Sequence, residues 1–292
     1  MNTLVFYHRN CRDGLTGAWA LSKVLVDPVF IPMDPDMPPW SGWTDEELRI
    51  NYSEVTCFYV VDVACEPEQL ARLPAPVVVL DHHPKQIEKL ADTPFGLHVR
   101  PDMSGAGLAY MIAREDLMLD DPSEGIRCVC AYAQDKDLWV WKMPYSREVA
   151  AFVESKVRVT DAWEAFHDLD DIATLIVNDF DTVVAAGAAV SKSRTQRIEA
   201  AIRRAVPRTI ANFNVCLVNC ERDIRNYVAE SLLKRSPELT VVTFSVEDNF
   251  EVWASARGPN ARAVARIFGG EGHENAAGFK FTFEELAGIK GE

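Results

Sequence analysis

Short apolar runs alternate with amphipathic segments through the first hundred residues of the chain. Four of these runs are rich in β-branched and aromatic residues and predict strands: 3–7, 29–32, 57–62 and 76–81. Helical spacing follows three of them, at 15–26, at 67–73 and from Pro84 onward. Apolar strands that alternate with helices are typical of a doubly wound parallel sheet. The pattern therefore predicts an α/β domain at the start of the chain.

A change of charge divides the rest of the chain. Residues 104–190 are mostly helical in pattern, and within them 161–181 carries seven acidic residues and no Lys or Arg. Residues 188–208 carry six basic residues and one acidic residue, and they predict a helical connector that ends before Pro207. Its basic face is either simply solvated or a local basic rim for a phosphate-bearing substrate.

A second, smaller α/β domain is predicted beyond the connector. Its strands are expected at 213–218, 240–246, 250–256 and 279–283, its helices at 224–234 and 261–268, and a turn at 248–249. We therefore divide the chain into a first domain at 1–187, a basic helical linker at 188–207 and a second domain at 208–292.

The net charge of −14 restricts the partners of the protein. Proteins that hold long nucleic acid usually show a basic field, because neutralising phosphates supplies much of the affinity. The acidic balance argues against long polyanions and still permits a small phosphate substrate. No apolar run reaches the length of a bilayer span, and no basic region precedes the first apolar stretch. We expect a cytoplasmic protein whose seven cysteines, with no CxxC pair, are reduced thiols.

Polar side chains follow the predicted strands at the points where the strands end. In a parallel sheet these carboxyl ends lie on one edge, where α/β proteins bind ligands. The side chains suit hard or borderline divalent metals; they are His8, Asp13, Asp62, Asp81, His82 and His83, with Asp135 as a further candidate. Each alone is explained by a turn or a helix cap, but together they predict one metal site.

These motifs give the chain a family resemblance that covers essentially its whole length. The matching segments are HRNCRDG at 8–14, Asp62, DHH at 81–83, SGAG at 104–107, QDKDLW at 134–139 and GGEGHENAAGF at 269–279. In this order they resemble the DHH phosphoesterase superfamily, in the branch with a DHH-associated C-terminal domain. The resemblance implies a Rossmann-like parallel-sheet domain and a smaller α/β C-terminal domain that faces it across a cleft.

The resemblance also implies two bound Mn²⁺ ions, with Co²⁺, Zn²⁺ or Mg²⁺ as alternatives. Asp62 would bridge the ions, and His8 would belong to one of them. The other ion would have three ligands: Asp13, His82 and Asp135. Such a pair of ions lowers the pKa of a bridging water and clamps a phosphoryl oxygen, so no protein nucleophile is needed.

The resemblance also implies roles for residues around these ligands, and the chain departs from the family pattern at one position. Asp81 and His83 would orient ligands or contact the phosphate, and Asp137 is a weaker candidate for either role. Cys11 stands where the family's first motif usually has an aspartate. Its thiolate would favour a softer ion than Mn²⁺. Alternatively, Asn10 or water takes the place, or the first ion binds weakly.

The C-terminal motif is expected to bind the substrate. Its glycines let backbone N–H groups approach a phosphate; they are Gly269, Gly270 and Gly272. His273 can donate a hydrogen bond, and Arg257 can pair with phosphate through two N–H groups. Without the DHH motif, a glycine-rich turn beside a core histidine would be the simpler explanation. Glu271 replaces a glycine that is usual in the family.

The tryptophans have less specific contexts. Five of them are expected in the core: Trp19, Trp139, Trp141, Trp163 and Trp253. Trp40 and Trp43 lie in a Pro-rich loop, where stacking on a base or an interface is an alternative to packing.

Taken together, these features predict a metal-dependent phosphohydrolase. The closest fits in the family are 3′-5′ exonucleases of short oligonucleotides and phosphodiesterases of linear or cyclic dinucleotides. The alternatives are a phosphatase of 3′,5′-bisphosphate nucleotides and a nucleotide-binding homologue with impaired catalysis. The expected partner is a small nucleotide or short oligonucleotide, with no long nucleic acid and no membrane, and a homodimer is left open.

Overall fold

The computed structural model describes residues 2–35, 37–63, 65–115, 124–160, 162–246 and 251–289. The chain forms two compact units, residues 1–191 and residues 192–292. The predicted turn at 248–249 lies outside the described residues. The predicted domain boundaries stay predictions. The helix Phe180–Ile202 includes the boundary between the units, so the predicted linker is helical only as far as Ile202.

The first unit is built on a parallel sheet. Its elements in chain order are β1 (Asn2–His8), α1 (Arg12–Ser22), β2 (Val29–Met33), α2 (Asp45–Asn51), β3 (Val55–Val61), α3 (Pro67–Ala71), β4 (Val77–Asp81), α4 (Pro84–Leu90), β5 (His98–Val99), α5 (Gly105–Glu115), α6 (Glu124–Asp137), α7 (Ser146–Lys156), α8 (Ala162–Asn178) and α9 (Phe180–Ile202). The five strands pair in the order β2-β1-β3-β4-β5, and every pair is parallel. The predicted parallel α/β domain is confirmed.

Both faces of this sheet are covered, as the continuous apolar strands require. Successive residues of a strand point to opposite faces, and Val5 and Phe6 accordingly belong to two different cores. Val5 packs in the core that contains Trp19 of α1. Phe6 packs in the core that contains Trp40 and Phe58. The sheet is thereby fixed from both sides, which holds its strand ends in place.

The second unit contains a mixed six-stranded sheet. Its elements are β6 (Val206–Ile210), β7 (Phe213–Asn219), α10 (Arg225–Arg235), β8 (Thr240–Val246), β9 (Val252–Arg257), α11 (Ala261–Ile267), β10 (Glu271–His273), β11 (Ala276–Phe281) and α12 (Phe283–Gly288). The strand order is β10-β11-β9-β8-β7-β6, and only β7 and β8 pair in parallel. A second α/β unit of this kind was predicted, but β6, β10 and α12 were not.

The structure places several tryptophans differently from the sequence prediction. Trp40 is fully buried, and its indole N–H donates to the Gln69 carbonyl at 3.1 Å. A base-stacking role for Trp40 is therefore wrong. Trp163, expected in the core, is 74% exposed on α8. Trp139 and Trp141 are only half-buried.

Two further expectations concern the whole chain. All seven cysteines are free, as expected for reduced thiols. Among the described residues, no helix is by itself long and apolar enough to cross a membrane. The bent pair of α8 and α9, which meet at 117°, reaches the required length and composition only as a pair.

Candidate metal centre

Asp62 lies at the centre of the predicted site. It follows the last residue of β3, is 1% exposed, and donates its backbone N–H to the Leu80 carbonyl at 2.8 Å. Its φ of +59° is in the left-handed region, which is unfavourable for most side chains. The fold keeps this backbone conformation at the end of the central strand of the sheet.

Three histidines surround the Asp62 carboxylate. His8 Nδ1 lies 3.2 Å from Asp62 Oδ2. His82 Nε2 lies 3.2 Å from Asp62 Oδ1, and His83 Nδ1 lies 3.8 Å from the same oxygen. Because β1, β3 and β4 are parallel neighbours, their carboxyl ends bring these residues together as the sequence predicted.

Among the residues that the structure describes, the potential ligand atoms form three groups that share residues. His8, Cys11 and Asp62 form the first, and their ligand atoms all lie within 4.8 Å of one another. By the same criterion the second group consists of Asp62, His82 and His83, and the third of Asp13, His82 and Asp137. Asp62 belongs to two of the groups and His82 to two, so the donors form one continuous cluster large enough for more than one ion.

Asp13 is held in place by the start of α5. Its Oδ1 accepts hydrogen bonds from Ser104 Oγ at 2.6 Å and from the Ala106 N–H at 3.1 Å. Its Oδ2 accepts from the Gly105 N–H at 2.6 Å. A carboxylate at a helix N-terminus is stabilised by the unpaired N–H groups there. These contacts explain the SGAG motif. The sequence pattern predicts no role for Ser104, although a serine directly before a helix is a typical sign of a helix start.

Two glycines allow the surrounding helices to approach the cluster. A Cβ on Gly105 would lie 2.5 Å from the Asp62 Cβ, and one on Gly14 would lie 2.9 Å from the His8 Cβ. A Cβ on Gly107 would lie 2.0 Å from Gln134 Oε1, the atom that accepts the Ser104 N–H at 3.1 Å. The glycines of SGAG therefore allow close packing at the start of α5.

Asp81 orients the two histidines that follow it. It is fully buried at the end of β4, and its Oδ1 accepts the N–H groups of His82 at 2.7 Å and His83 at 2.9 Å. The same oxygen lies 2.8 Å from His83 Nδ1. Asp81 is outside the three groups, so its position fits the orienting role proposed for it and not direct ligation.

The structure places Asp137, and not Asp135, in the group with Asp13 and His82. The Asp135 carboxylate is 7% exposed, accepts the N–H groups of Lys142 and Met143 at 2.9 and 3.3 Å and the Ser146 hydroxyl, and belongs to none of the three groups. Asp137, two residues later at the end of α6, places Oδ2 3.3 Å from His82 Nε2. Asp137 therefore belongs to the cluster of potential ligand atoms, whereas Asp135, expected as a ligand, does not.

The electrostatics of the cluster favour a cation. Burial raises the pKa of Asp13 and of Asp137, and neighbouring carboxylates raise both further. Burial, followed by the nearby carboxylates, also raises the pKa of the Cys11 thiol. Asp62 differs: burial acts to raise its pKa, but the three histidines around it hold the value below the usual range.

The donors fit a divalent metal by a second criterion. Asp62 Oδ1 is buried and accepts no well-directed hydrogen bond within the part of the chain that the structure describes. A buried oxygen without a donor is costly unless a cation or water satisfies it. Carboxylates and imidazoles suit Mn²⁺, Zn²⁺ or Co²⁺, and a thiolate at Cys11 would favour the softer of these.

The predicted substrate residues lie in the second unit. Arg257 ends β9, and its Nη2 donates to Asn226 Oδ1 at 3.1 Å. His273 is exposed on β10, and Glu271 lies 3.2 Å from Arg266 and 3.6 Å from Arg262. The Arg266 guanidinium is the main influence that offsets desolvation and keeps the pKa of Glu271 below its ordinary value.

The glycines of this motif shape the backbone. The N–H groups of Gly269 and Gly270 already donate to carbonyls at the end of α11, at 3.1 and 2.9 Å, so they are not directed at a phosphate. Gly269 has φ +71°, as is usual just beyond a helix end. Gly272 has φ +151°, and a Cβ there would lie 2.5 Å from the Ala276 carbonyl. The expected phosphate contacts from Gly269 and Gly270 are corrected to a helix-capping role.

Comparison with known proteins gives distant relatives. No protein-family model matches the chain. An uncharacterized protein, R106, of Acanthamoeba polyphaga mimivirus is 24% identical over 309 aligned positions, which cover 99% of this chain and 68% of the relative. An uncharacterized protein from Helicobacter pylori has a TM-score of 0.51 at 12% identity, with 96% of this chain and 93% of that chain covered.

A solved structure with a stated activity has the same fold. It is the pGpG-specific phosphodiesterase PggH from Vibrio cholerae, with a TM-score of 0.50, 12% identity, and coverage of 98% of this chain and 95% of that chain. At these identities the likeness establishes architecture. The chain has a mixed α/β architecture, with a parallel-sheet domain and a second sheet domain.

Proposed function

We propose that the protein is a metal-dependent phosphohydrolase that cleaves the phosphodiester bonds of short oligonucleotides or of linear or cyclic dinucleotides. The observation that carries the proposal is the position of Asp62, which is shared by the group with His8 and Cys11 and the group with His82 and His83. A carboxylate shared by two sets of donors is able to bridge a pair of divalent ions, and such a pair can stabilise both the attacking and the leaving oxygen of a displacement at phosphorus.

The bound ions would supply an activated water and neutralise charge on the phosphoryl oxygens. The protein's own side chains fix the geometry. Asp81 holds His82 and His83 through three contacts to one oxygen, at 2.7, 2.9 and 2.8 Å. His83 has the most exposed side chain of the three histidines, at 42% against 25% for His8 and 14% for His82. We therefore assign the contact with the substrate phosphate to His83.

The substrate is proposed to be small for electrostatic reasons. A chain with net charge −14 repels a long polyanion, whereas a dinucleotide presents few phosphates. Arg257 and His273 of the second unit are proposed to bind it. The resemblance favours Mn²⁺, with Co²⁺, Zn²⁺ and Mg²⁺ as alternatives, and Cys11 is the residue that decides among them. The fold of the pGpG-specific phosphodiesterase supports dinucleotides as the first substrates to test.

The test is hydrolysis by the purified full chain. The substrates are pGpG, a cyclic dinucleotide, a five-residue RNA and a 3′,5′-bisphosphate nucleotide, each with Mn²⁺, Co²⁺, Zn²⁺ or Mg²⁺. We expect turnover of the dinucleotides and of the short RNA. Turnover of the bisphosphate nucleotide alone would favour the phosphatase alternative. No turnover with any ion, while nucleotide still binds, would identify a binding protein with impaired catalysis.

A further inference from the structure

Beyond the metal centre, α6 ends in a segment that holds two tryptophans in an unusual backbone conformation. Trp139 has φ +58° and Trp141 has φ +57°. The first position after a helix end with positive φ is normally glycine, because a bulky side chain is disfavoured there. Two bulky aromatic residues in that conformation, separated by one residue, are a departure from this rule, and both are half-buried.

The segment is fixed by hydrogen bonds from both sides. The Trp139 N–H donates to the Lys136 carbonyl at 3.1 Å, and the Val140 N–H donates to the Asp135 carbonyl at 2.9 Å. The Asp135 carboxylate accepts the N–H groups of Lys142 and Met143 at 2.9 and 3.3 Å. Asp135 therefore holds the segment by its backbone and its side chain, and this gives the buried aspartate of the QDKDLW motif a definite purpose.

The two indole rings support each other. The centroids of the Trp139 and Trp141 rings are 4.9 Å apart, with the ring planes at 76°. The Arg147 guanidinium lies over the Trp141 ring at 4.3 Å from its centroid. Trp141 is thus braced between a cation and a second ring. Trp139 completes a rigid aromatic surface whose orientation is fixed before any ligand arrives.

The backbone that carries this surface continues directly from a residue of the metal cluster. Asp137, whose Oδ2 lies 3.3 Å from His82 Nε2, precedes Trp139 by two residues. Two consecutive Cα–Cα steps span at most about 7.6 Å, so the backbone of Trp139 lies within that distance of the backbone of Asp137. A nucleotide whose phosphate is bound at the cluster carries its base several ångströms from the phosphorus. A partly exposed aromatic residue two positions beyond a potential ligand is a candidate to stack on that base.

We propose that Trp139, braced by Trp141 and Arg147, is the stacking platform for a nucleobase of the substrate. This inference rests on the proposed function and names the part of the substrate recognised beside the metal centre. Stacking on an aromatic side chain tolerates any base, because every base has a π-face. The platform would thus select nucleotides over other phosphodiesters without selecting among bases.

The experiment compares Trp139→Ala with the full-length wild type on two substrates, pGpG and an abasic counterpart in which one base is replaced by hydrogen. Loss of one stacked base raises KM by about 5-fold to about 100-fold. We expect such a rise for pGpG in the variant, with little change for the abasic counterpart that lacks the stacked base. Trp163→Ala on α8, whose ring is 74% exposed, is the matched control and should leave both KM values unchanged.

A second measurement keeps the test independent of the folding of Trp139→Ala. Titration of the metal-free wild type with pGpG should quench tryptophan fluorescence, and Trp139→Phe should lose most of the quench. An undiminished quench in Trp139→Phe, or an equal KM for pGpG in Trp139→Ala and wild type, overturns the platform. If wild type hydrolyses none of pGpG, the cyclic dinucleotide and the five-residue RNA yet shows the Trp139-dependent quench, the proposed function fails and the platform stands.

Discussion

Gly105 lies directly against Asp62: a Cβ built on Gly105 would be 2.5 Å from the Asp62 Cβ and 2.9 Å from Asp13 Oδ2. The first residue of α5 is therefore in contact with two proposed ligands at once. No side chain can be accommodated there unless the strand end or the helix moves.

Gly105→Ala is expected to lower both stability and metal affinity. Overpacking of a close contact costs roughly 1–3 kcal/mol, and here the displaced groups are the ligands themselves. Thermal unfolding and metal titration of the variant measure the two effects. Gly42→Ala is the control, because a Cβ at Gly42 meets nothing within 4 Å. Wild-type metal affinity in Gly105→Ala would show that the contact with Asp62 is unimportant.

Asp137→Asn and Asp135→Asn should have opposite effects. Asp137 is proposed as a ligand, so its amide variant should lose metal affinity and activity while its melting temperature without metal changes little. Asp135 is 7% exposed and accepts three hydrogen bonds within the protein. Its amide offers one acceptor oxygen in place of two, so the variant should be destabilised by about 1–3 kcal/mol. Calorimetry and metal titration of both variants decide the assignment; a metal-binding defect confined to Asp135→Asn would reverse it.

These two aspartates also show where sequence reasoning ends. The apolar strands 3–7, 57–62 and 76–81 fixed the positions of His8, Asp62 and Asp81, because parallel pairing brings their ends to one edge. Asp135 and Asp137 instead belong to one helix, about 200° apart around its axis. The sequence pattern does not tell which of the two faces the sheet edge.

In the second unit, one proline and two glycines have structural roles that the sequence pattern did not predict. The helical connector ends before Pro207 as predicted, but no strand is predicted there, and Pro207 lies in the edge strand β6, where a missing N–H is tolerated. The glycines at 269 and 270 indicated a phosphate cradle, whereas their N–H groups cap α11. The motif identified these glycines, but it did not show which acceptors their N–H groups bind.

Asp62→Asn and Asp62→Ala should both abolish metal-dependent activity, but with different stabilities. Asn tolerates the left-handed φ of +59° better than Ala, so Asp62→Asn should be more stable than Asp62→Ala by about 1 kcal/mol. Substituting even an indirect metal partner typically costs about 10–100-fold in affinity or activity, and a shared ligand should exceed that. Wild type should gain about 2.7 kcal/mol of stability when metal is present at 100 times its Kd, and neither variant should show that gain.

Measuring stability with and without metal separates the effect of each variant on metal binding from its effect on folding. Melting temperatures with metal and with chelator are measured for wild type and for both variants. A full metal-dependent rise in melting temperature in Asp62→Asn, together with wild-type turnover, would contradict the proposal that Asp62 is a shared metal ligand.

Cys11→Asp is expected to change the metal preference of the protein. The Cys11 sulfur lies within 4.8 Å of ligand atoms of His8 and Asp62, so a thiolate there adds a soft ligand to one end of the cluster. Replacing it by a carboxylate should lower the affinity for Zn²⁺ relative to Mn²⁺ by roughly an order of magnitude. Competitive metal binding, followed by metal analysis of the protein, measures the ratio. Cys216→Ser, in the second unit and also half-buried, is the control. An unchanged ratio in Cys11→Asp would mean that Cys11 is a neighbour of the ion and not one of its ligands.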